Sequence, residues 1–380
     1  MEGTAALARR YEDRPLLVLW ETTRACGLAC RHCRADAQPS PDPDELTTEE
    51  ASHLLDDLAA LGRPRPICIL TGGDCLSRPD LGAIVAHAAS VGVPVAVSPS
   101  VTPRLTNRAM RALRGLGVRT ASVSLDGVSS SHDDLRGVPG HFVSTMRSIA
   151  MLKELGFTVQ VNTTVTAHNV EELPDVAALL GRAGVDVWEV FFLVNTGRGT
   201  EVAATTPEVN EAVCHFLVDA SRYITTVRTV EAPFYRRVAL ERAEDLEGRV
   251  ELDGVAATLH ETLRDRLVAS LGPPRRAPRM PGASTRDGKG IVFVAANGDV
   301  YPSGFLPLRL GSVRTSPLVD LYRVHPLLRS IRAAEFRGTC GACDHADRCG
   351  GSRARAYAAT GDPLGDDPGC LLVASSALGA

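Results

Sequence analysis

The sequence has no marked surplus of either charge sign. Its 380 residues carry 41 Lys and Arg against 45 Asp and Glu, a formal net charge of −4. Proteins that hold nucleic acid indiscriminately are strongly basic, so this balance argues against nucleic acid as a partner. Long apolar runs are missing too, and no stretch would span a bilayer. The opening MEGTAALARRYEDRP lacks the apolar segment of a secretory signal. There is no repeat with a period of roughly 20–50 residues and no low-complexity tract. These absences lead us to expect a cytoplasmic protein with neither membrane nor nucleic acid as a partner. What remains is ordinary globular material, with 44% hydrophobic and 23% charged residues. That is enough for a sizeable core in one large domain with an appendage, or in two domains.

Cysteine, by contrast, is plentiful: there are ten. A reducing compartment disfavours stable disulfides, and grouped cysteines there more often bind metal. Cys26, Cys30 and Cys33 form C-x3-C-x2-C, and Cys340, Cys343, Cys349 and Cys370 form C-x2-C-x5-C-x20-C; Cys68, Cys75 and Cys214 are scattered. For the first group, a structural zinc would want a fourth ligand. The only local candidate, His32, is awkwardly adjacent to Cys33. Three thiolates on a 4Fe–4S cluster instead leave one iron open for an exchangeable ligand. The second group has the full complement for either a closed 4Fe–4S cluster or an all-cysteine zinc site, and spacing does not separate the two.

Between these groups, strand-like and helical patterns alternate. Apolar runs at 16–20, 66–70, 93–97, 119–125, 157–165 and 186–194 read as strands. Helices are expected near 47–62, 79–91, 105–116, 141–155, 171–183 and 207–225. The first opens on Thr47 as cap, with Glu50 as its reciprocal partner. Such βα units argue for a parallel sheet. Six units are too few for a closed eight-fold barrel, so we expect a partial (β/α)6 barrel. Ligands of parallel α/β folds bind at the carboxyl ends of the strands. The cysteine loop, Gly72-Gly73-Asp74, Ser98-Pro99-Ser100, Ser124 to Gly127 and Asn195 to Gly199 all fall there. Further on, a helix is expected near 256–270 and an irregular proline-rich connection after it. A hairpin then turns at Asn297-Gly298-Asp299, followed by a helix near 317–332. The expected division is a core at 1–225, a variable segment at 226–290 and a small hairpin-and-loop extension at 291–380.

C-x3-C-x2-C after a first strand, with Gly-Gly-acidic after a second, resembles the radical S-adenosylmethionine (radical SAM) enzymes. In that family SAM chelates the open iron, and one electron cleaves it to methionine and a 5′-deoxyadenosyl radical that abstracts a substrate hydrogen. The resemblance spans roughly 15–200 and 290–372. It implies that Cys26, Cys30 and Cys33 hold the SAM-binding cluster. It also implies that Gly72, Gly73 and Asp74 meet the methionine amino group. Ser124 and Arg136 resemble the pair holding the methionine carboxylate, for which a guanidinium fork is suited. Asn162 is assigned to the ribose. Asp126 is read equally well as a turn residue. Cys75 stands where the family has proline and reads more plainly as a packed small residue than as a thiol with a role.

The C-terminal cysteines resemble the SPASM or twitch extensions, which implies an auxiliary cluster. Extensions with two such clusters carry further cysteines where this chain has Ser303 and, approximately, Ser316. One auxiliary cluster is therefore expected, making two 4Fe–4S clusters in all. WETTRACGLACRHCRA, FFLVNTGRG and CGGSRARAYAATGDP look like the branch that serves haem d1 and alternative haem biosynthesis. The expected substrate is a small molecule undergoing decarboxylation, oxidation or C–C bond formation, with an electron donor such as flavodoxin or ferredoxin. A peptide substrate is the alternative, although 25 residues before Cys26 are too few for a leader-binding domain. A non-enzymatic iron–sulfur or zinc protein is the remote one. Arg198, Arg275 and Arg276 are candidates for a substrate carboxylate, a surface role being the plainer reading.

Overall fold

The computed structural model describes residues 11–244, 252–274, 276–279 and 285–378. Within them the chain forms one 11-stranded sheet. Its strands are β1 (Leu17–Glu21), β2 (Ile67–Thr71), β3 (Val95–Val97), β4 (Thr120–Ser124), β5 (Thr158–Val165), β6 (Val187–Phe192), β7 (Thr226–Val230), β8 (Arg286–Asp287), β9 (Gly290–Val294), β10 (Asp299–Tyr301) and β11 (Gly311–Ser312). The strand order is β11-β10-β9-β1-β2-β3-β4-β5-β6-β7, with β8 beside β9. Every pairing from β9 through β1 to β7 is parallel, while β10 and β11 are antiparallel. The alternation of strand and helix thus produces the expected α/β parallel architecture.

Local signals account for most of these elements. The helix Thr48–Ala60 starts with both halves of the Thr47/Glu50 capping box. The helix Pro207–Ala220 starts with Thr206 as cap and proline at its first position, where the missing N–H is not needed. The strand β5 alternates between fully buried Val159, Val161, Thr163 and Val165 and half-buried Gln160, Asn162 and Thr164. The buried set packs under the helices, and the half-buried set faces the concave side.

Departures from expectation concern tertiary pairing and one helix. A seventh parallel strand, β7, lies in the segment expected to be variable and pairs with β6. The helices Tyr235–Glu244 and Gly254–Leu271 pack on Pro207–Ala220. The expected hairpin forms, but β9 also pairs in parallel with β1, Leu17 opposite Ile291. The sheet therefore runs through all three expected segments. Finally, the helix expected near 317–332 is two, Leu318–Val324 and Pro326–Arg332. His325 between them is extended because the proline ring excludes the helical region for its predecessor. Among the described residues no helix is long and apolar enough to cross a membrane.

One buried cluster unites the strands with the covering helices and includes both tryptophans. Trp188 donates from Nε1 to Thr163 Oγ1 at 2.9 Å and meets Phe216 edge-on at 6.3 Å. Trp188→Ala is expected to destabilise the protein by about 3–5 kcal/mol, and Thr163→Val, which orphans the indole N–H, by about 1–3 kcal/mol. Denaturant unfolding measures both.

Candidate functional site

The first cysteine loop is held by backbone contacts from the neighbouring strand end. Gly73 N donates to Thr23 O and Asp74 N to Ala25 O, each at 2.8 Å. A Cβ on Gly72 would lie 2.3 Å from Thr23 O, and one on Gly73 would lie 2.5 Å from Ala25 O. Gly72 also sits at φ +141°. The close approach expected of this Gly-Gly is therefore to the cysteine loop itself. Asp74 follows them. Its carboxylate is fully buried and takes hydrogen bonds from Thr102 Oγ1 (2.8 Å), Leu76 N (3.1 Å) and Ser100 N (3.3 Å). It clamps the segment after β3.

On the other side the loop rests on Asn195–Gly199. Gly197, at φ +55°, brings its α-carbon so close that a Cβ would fall 2.5 Å from Arg34 O and 2.6 Å from Cys33 O. Arg198 N donates to Cys33 O at 3.1 Å. Its side chain donates to Cys30 O and Ala37 O, both at 3.0 Å, and pairs with Asp36 at 2.9 Å. Arg198 thus grips the cysteine loop and is not presented to a substrate carboxylate. Arg276 accepts at its carbonyl from Arg222 Nε, and Arg275 lies outside the described residues. Cys26 Sγ lies 3.6 Å from Ser100 Oγ and accepts from Leu28 N at 3.4 Å.

Arg136, at the end of the helix Ser130–Arg136, reaches the same place. Its Nη1 lies 3.7 Å from Cys30 Sγ, and its Nη2 pairs with Asp126 Oδ2 at 2.5 Å. Asp126 is buried and also faces His32 Nε2 at 3.5 Å. Burial alone would raise its carboxyl, but Arg136, His32 and His132 together hold it down to about 2. Asp126 is thus the counter-ion of Arg136, a role that no local spacing signalled. His32 points to this pair, and burial pushes it down to about 4. Ser124 and Asn162 are cross-strand partners on β4 and β5, both half-buried. Asn162 Oδ1 accepts from Gln160 Nε2 at 2.8 Å.

Behind Asp126 lies a chain of neutral histidines. Asp126 N donates to His132 Nδ1 at 3.0 Å, which leaves the proton of His132 on Nε2, facing His141 Nδ1 at 2.8 Å. His141 Nε2 then donates to Val101 O at 3.0 Å. Burial is the main cause that lowers His132 to about 4.

The four C-terminal cysteines line one recess together with Arg237, Thr339, His345, Gly350, Gly351, Leu372 and others, with about 360 Å³ of atom-free space that includes open solvent. Burial raises the thiols of Cys340, Cys349 and Cys370, to about 12 for Cys349 and about 11 for Cys370. Such thiols stay protonated at neutral pH unless a cation replaces the proton. Cys75 and Cys68 are fully buried in the main core, with thiols raised by burial. Cys214 is equally buried and lies within electrostatic reach of Cys349 and Cys370.

Comparison with known proteins bears on both sites. The sequence pattern of the Radical SAM superfamily matches residues 20–180. The AdoMet-dependent heme synthase of Methanosarcina barkeri is 35% identical over 364 residues, 94% of this chain and 97% of that protein. The chain belongs to the radical SAM superfamily. Its similarity to the haem-biosynthesis branch extends to the pre-heme d1 synthase of Dinoroseobacter shibae, 30% identical over 94% of this chain and 87% of that one. Among solved structures, Streptococcus suis SuiB bound to S-adenosylmethionine shares the radical SAM fold at TM-score 0.66 and 14% identity, covering 97% of this chain and 81% of that one. AnSMEcpe with bound AdoMet and a peptide matches at TM-score 0.66 and 15% identity, over 94% and 95%. This radical SAM protein is an enzyme, and SAM with one 4Fe–4S cluster is what its family uses.

Two predictions follow from the network around Asp126. Arg198→Ala removes the side-chain grip on the Cys30 carbonyl. It should lower the iron retained after anaerobic reconstitution while the far-ultraviolet circular dichroism stays unchanged. The second concerns pH. An unfolded histidine takes up a proton near pH 6.5, whereas folded His132 resists until about 4. Its stabilising contribution is full above pH 6.5 and is lost as pH falls from 6.5 towards 4, by about 3 kcal/mol in all. In His132→Gln the slope of stability against pH in that window should drop by about one proton, measured by denaturant titrations at stepped pH.

Proposed function

We propose that this radical SAM enzyme acts on a small carboxylated molecule of the tetrapyrrole class, using a SAM-binding 4Fe–4S cluster and one auxiliary 4Fe–4S cluster. The observation that carries the reading is two separate thiol sets, one in the loop after β1 and one lining the C-terminal recess, combined with end-to-end similarity to AdoMet-dependent heme synthases. In this reading Cys26, Cys30 and Cys33 hold the first cluster and leave one iron open. Cys340, Cys343, Cys349 and Cys370 hold the second and leave none.

The donor chemistry fits these groups. All seven are thiols that bind as thiolates, and three of the four C-terminal ones are buried. Thiolates around a single zinc stand about 3.8 Å apart, by tetrahedral geometry at the usual zinc–sulfur distance. Among the described residues no three His, Cys, Asp or Glu side chains converge on one ion position. The C-terminal cysteines instead rim a recess, which suits a polynuclear centre.

When bound, the cluster and SAM supply an electron and a carbon-centred radical that abstracts hydrogen. The chain's own residues bind and orient. Gly72, Gly73 and the backbone of Asp74 are assigned to the methionine amino group, and Ser124 and Asn162 to the polar parts of SAM on the concave side. Arg136 supplies positive charge beside Cys30, and with Asp126 as counter-ion it shares only its free edge with the methionine carboxylate. Core, variable segment and extension keep the proposed boundaries 1–225, 226–290 and 291–380, joined through the sheet. The enzyme works in the cytoplasm with a flavodoxin or ferredoxin as electron donor. A peptide substrate is the second reading, favoured by 28% identity to the mycofactocin maturase of Mycobacterium ulcerans.

Anaerobic reconstitution should give about eight irons per chain. Replacing Cys26, Cys30 and Cys33 together should halve the iron and abolish formation of 5′-deoxyadenosine; a triple variant that still makes it would sink the assignment. Replacing Cys343 and Cys349 should also remove half of the iron, leave slow SAM cleavage and stop substrate conversion. Mass spectrometry of reactions with carboxylated iron porphyrins and, in parallel, with candidate peptides decides the substrate class. Loss of about 46 mass units per side chain, carbon dioxide together with the abstracted hydrogen and the carboxyl proton, with one electron passed to an acceptor, marks the decarboxylation that hydrogen abstraction starts.

A further inference from the structure

Ion pairing around the C-terminal cysteines is incomplete on one side. Arg237 pairs with Glu211 and Glu241, Lys289 with Asp347, and Arg355 with Asp367. Three further arginines have no ion pair among the described residues. Arg353 is fully buried and donates to Gly351 O, Pro363 O and Gly365 O, with Nη2 at 3.8 Å from Cys340 Sγ. Arg286 is 5% exposed and donates to Asp347 O, Ile331 O and, at 3.5 Å, Cys349 O. Arg236, half-buried, donates to Thr285 O. Arg236 and Arg286 each lie within electrostatic reach of the Cys349 sulfur and of each other. Arg353 and Arg286 both lie over the ring of Phe336, at 4.5 and 5.1 Å from its centre.

Carbonyl oxygens satisfy donors but do not neutralise charge. A buried guanidinium without a counter-ion costs several kcal/mol, and a fold carrying three such groups side by side needs an anion among them. No nearby carboxylate makes an ion pair with any of the three among the described residues. Asp347 is engaged by Lys289 and Asp367 by Arg355, Asp366 accepts from the backbone N–H groups of Thr339 and Cys340, and Asp287 acts on Arg353 through the field. The sulfurs of Cys340 and Cys349 lie against these arginines and carry negative charge once they bind a metal centre as thiolates.

We infer that Arg236, Arg286 and Arg353 are the counter-ions of the auxiliary cluster and raise its reduction potential, so that this cluster is tuned to accept an electron. The inference rests on the two-cluster reading above. Four thiolates around a 4Fe–4S core leave the oxidised centre with two negative charges, and adding one electron makes three. Fixed positive charge therefore stabilises the reduced form more than the oxidised one, and net charge and hydrogen bonds at the sulfurs are the levers that set such potentials. Arg353 acts on Cys340 at its sulfur, Arg286 and Arg236 on Cys349 through the field. They are positioning residues for the centre and touch no substrate.

The test is an EPR-monitored redox titration of the reconstituted protein, with iron and sulfide assays beside it. The Cys26, Cys30 and Cys33 triple variant isolates the auxiliary signal. In that background Arg353→Gln and Arg286→Gln should keep the cluster and lower its midpoint by at least a tenfold change in the reduced-to-oxidised ratio, about 59 mV for one electron. Arg353→Lys, which keeps the charge, should stay near the parent value. Arg236→Gln, at the edge of the group, should fold and load in any case and shift in the same direction by less. Parent-like potentials in the Gln variants that retain full iron would overturn the inference, as would a Lys variant displaced as far as the Gln variant. Should Arg353→Gln and Arg286→Gln lose the cluster, an unmoved potential in Arg236→Gln overturns it and a lowered one sustains it. A parent background with no auxiliary iron at all would instead remove the two-cluster reading itself.

Discussion

The close contact between the first cysteine loop and the end of β2 is the constraint on which the site depends. Two glycines without Cβ let two strand ends exchange backbone hydrogen bonds, Gly73 to Thr23 and Asp74 to Ala25. A side chain at either position would push into carbonyl oxygens. The loop that carries Cys26, Cys30 and Cys33 thereby takes its shape from the sheet and not from the cysteines alone. A third glycine, Gly197, makes the same kind of approach from the far side at Cys33 and Arg34. Three thiols of one short segment are thus presented at fixed places before any metal arrives, which reduces the ordering that binding would otherwise require.

Charge is arranged around this loop in layers. Arg136 stands beside Cys30, Asp126 neutralises Arg136, and neutral His132 and His141 carry the hydrogen bonds outward to Val101. Each member satisfies the next, and that is the condition under which buried polar networks are tolerated. The C-terminal recess follows another rule. There three arginines, Arg236, Arg286 and Arg353, donate to carbonyl oxygens and have no ion pair among the described residues. Arg34, which follows Cys33, ties the first cysteine loop to the C-terminal hairpin. It pairs with Glu21 at 3.3 Å, donates to Gly304 O at 3.0 Å and lies over Phe293 at 4.6 Å.

Much of this was legible in the sequence, for local reasons. Alternating strand and helix periods point to a parallel sheet because buried strands and amphipathic helices have different repeats. The Thr47/Glu50 cap, the Asn-Gly turn and both cysteine groups are short-range patterns and appear where they were expected. So does the gathering of unusual residues at strand ends. What local patterns did not show was the contacts that groups far apart in sequence make within the protein. Gly72 and Gly73 make room for the cysteine loop, and the Asp74 carboxylate clamps the segment after β3. Arg198 was weighed as a substrate anchor, and it braces Cys30.

The sequence by itself determined the sheet's parallel character, the two thiol sets and the superfamily, because each is written in residues near one another along the chain. Tertiary structure alone decided that β9 joins β1 and that β7 closes onto β6, because pairing between strands far apart in sequence depends on which edges remain open. It also decided which buried charges find a partner. Arg136 meets Asp126 ten residues away, Arg34 meets Gly304 far along the chain, and Arg236 and Arg353 both come within electrostatic reach of Arg286. A spacing rule reports neighbours on one element. Which charge faces which is fixed only when the elements pack and water is excluded between them.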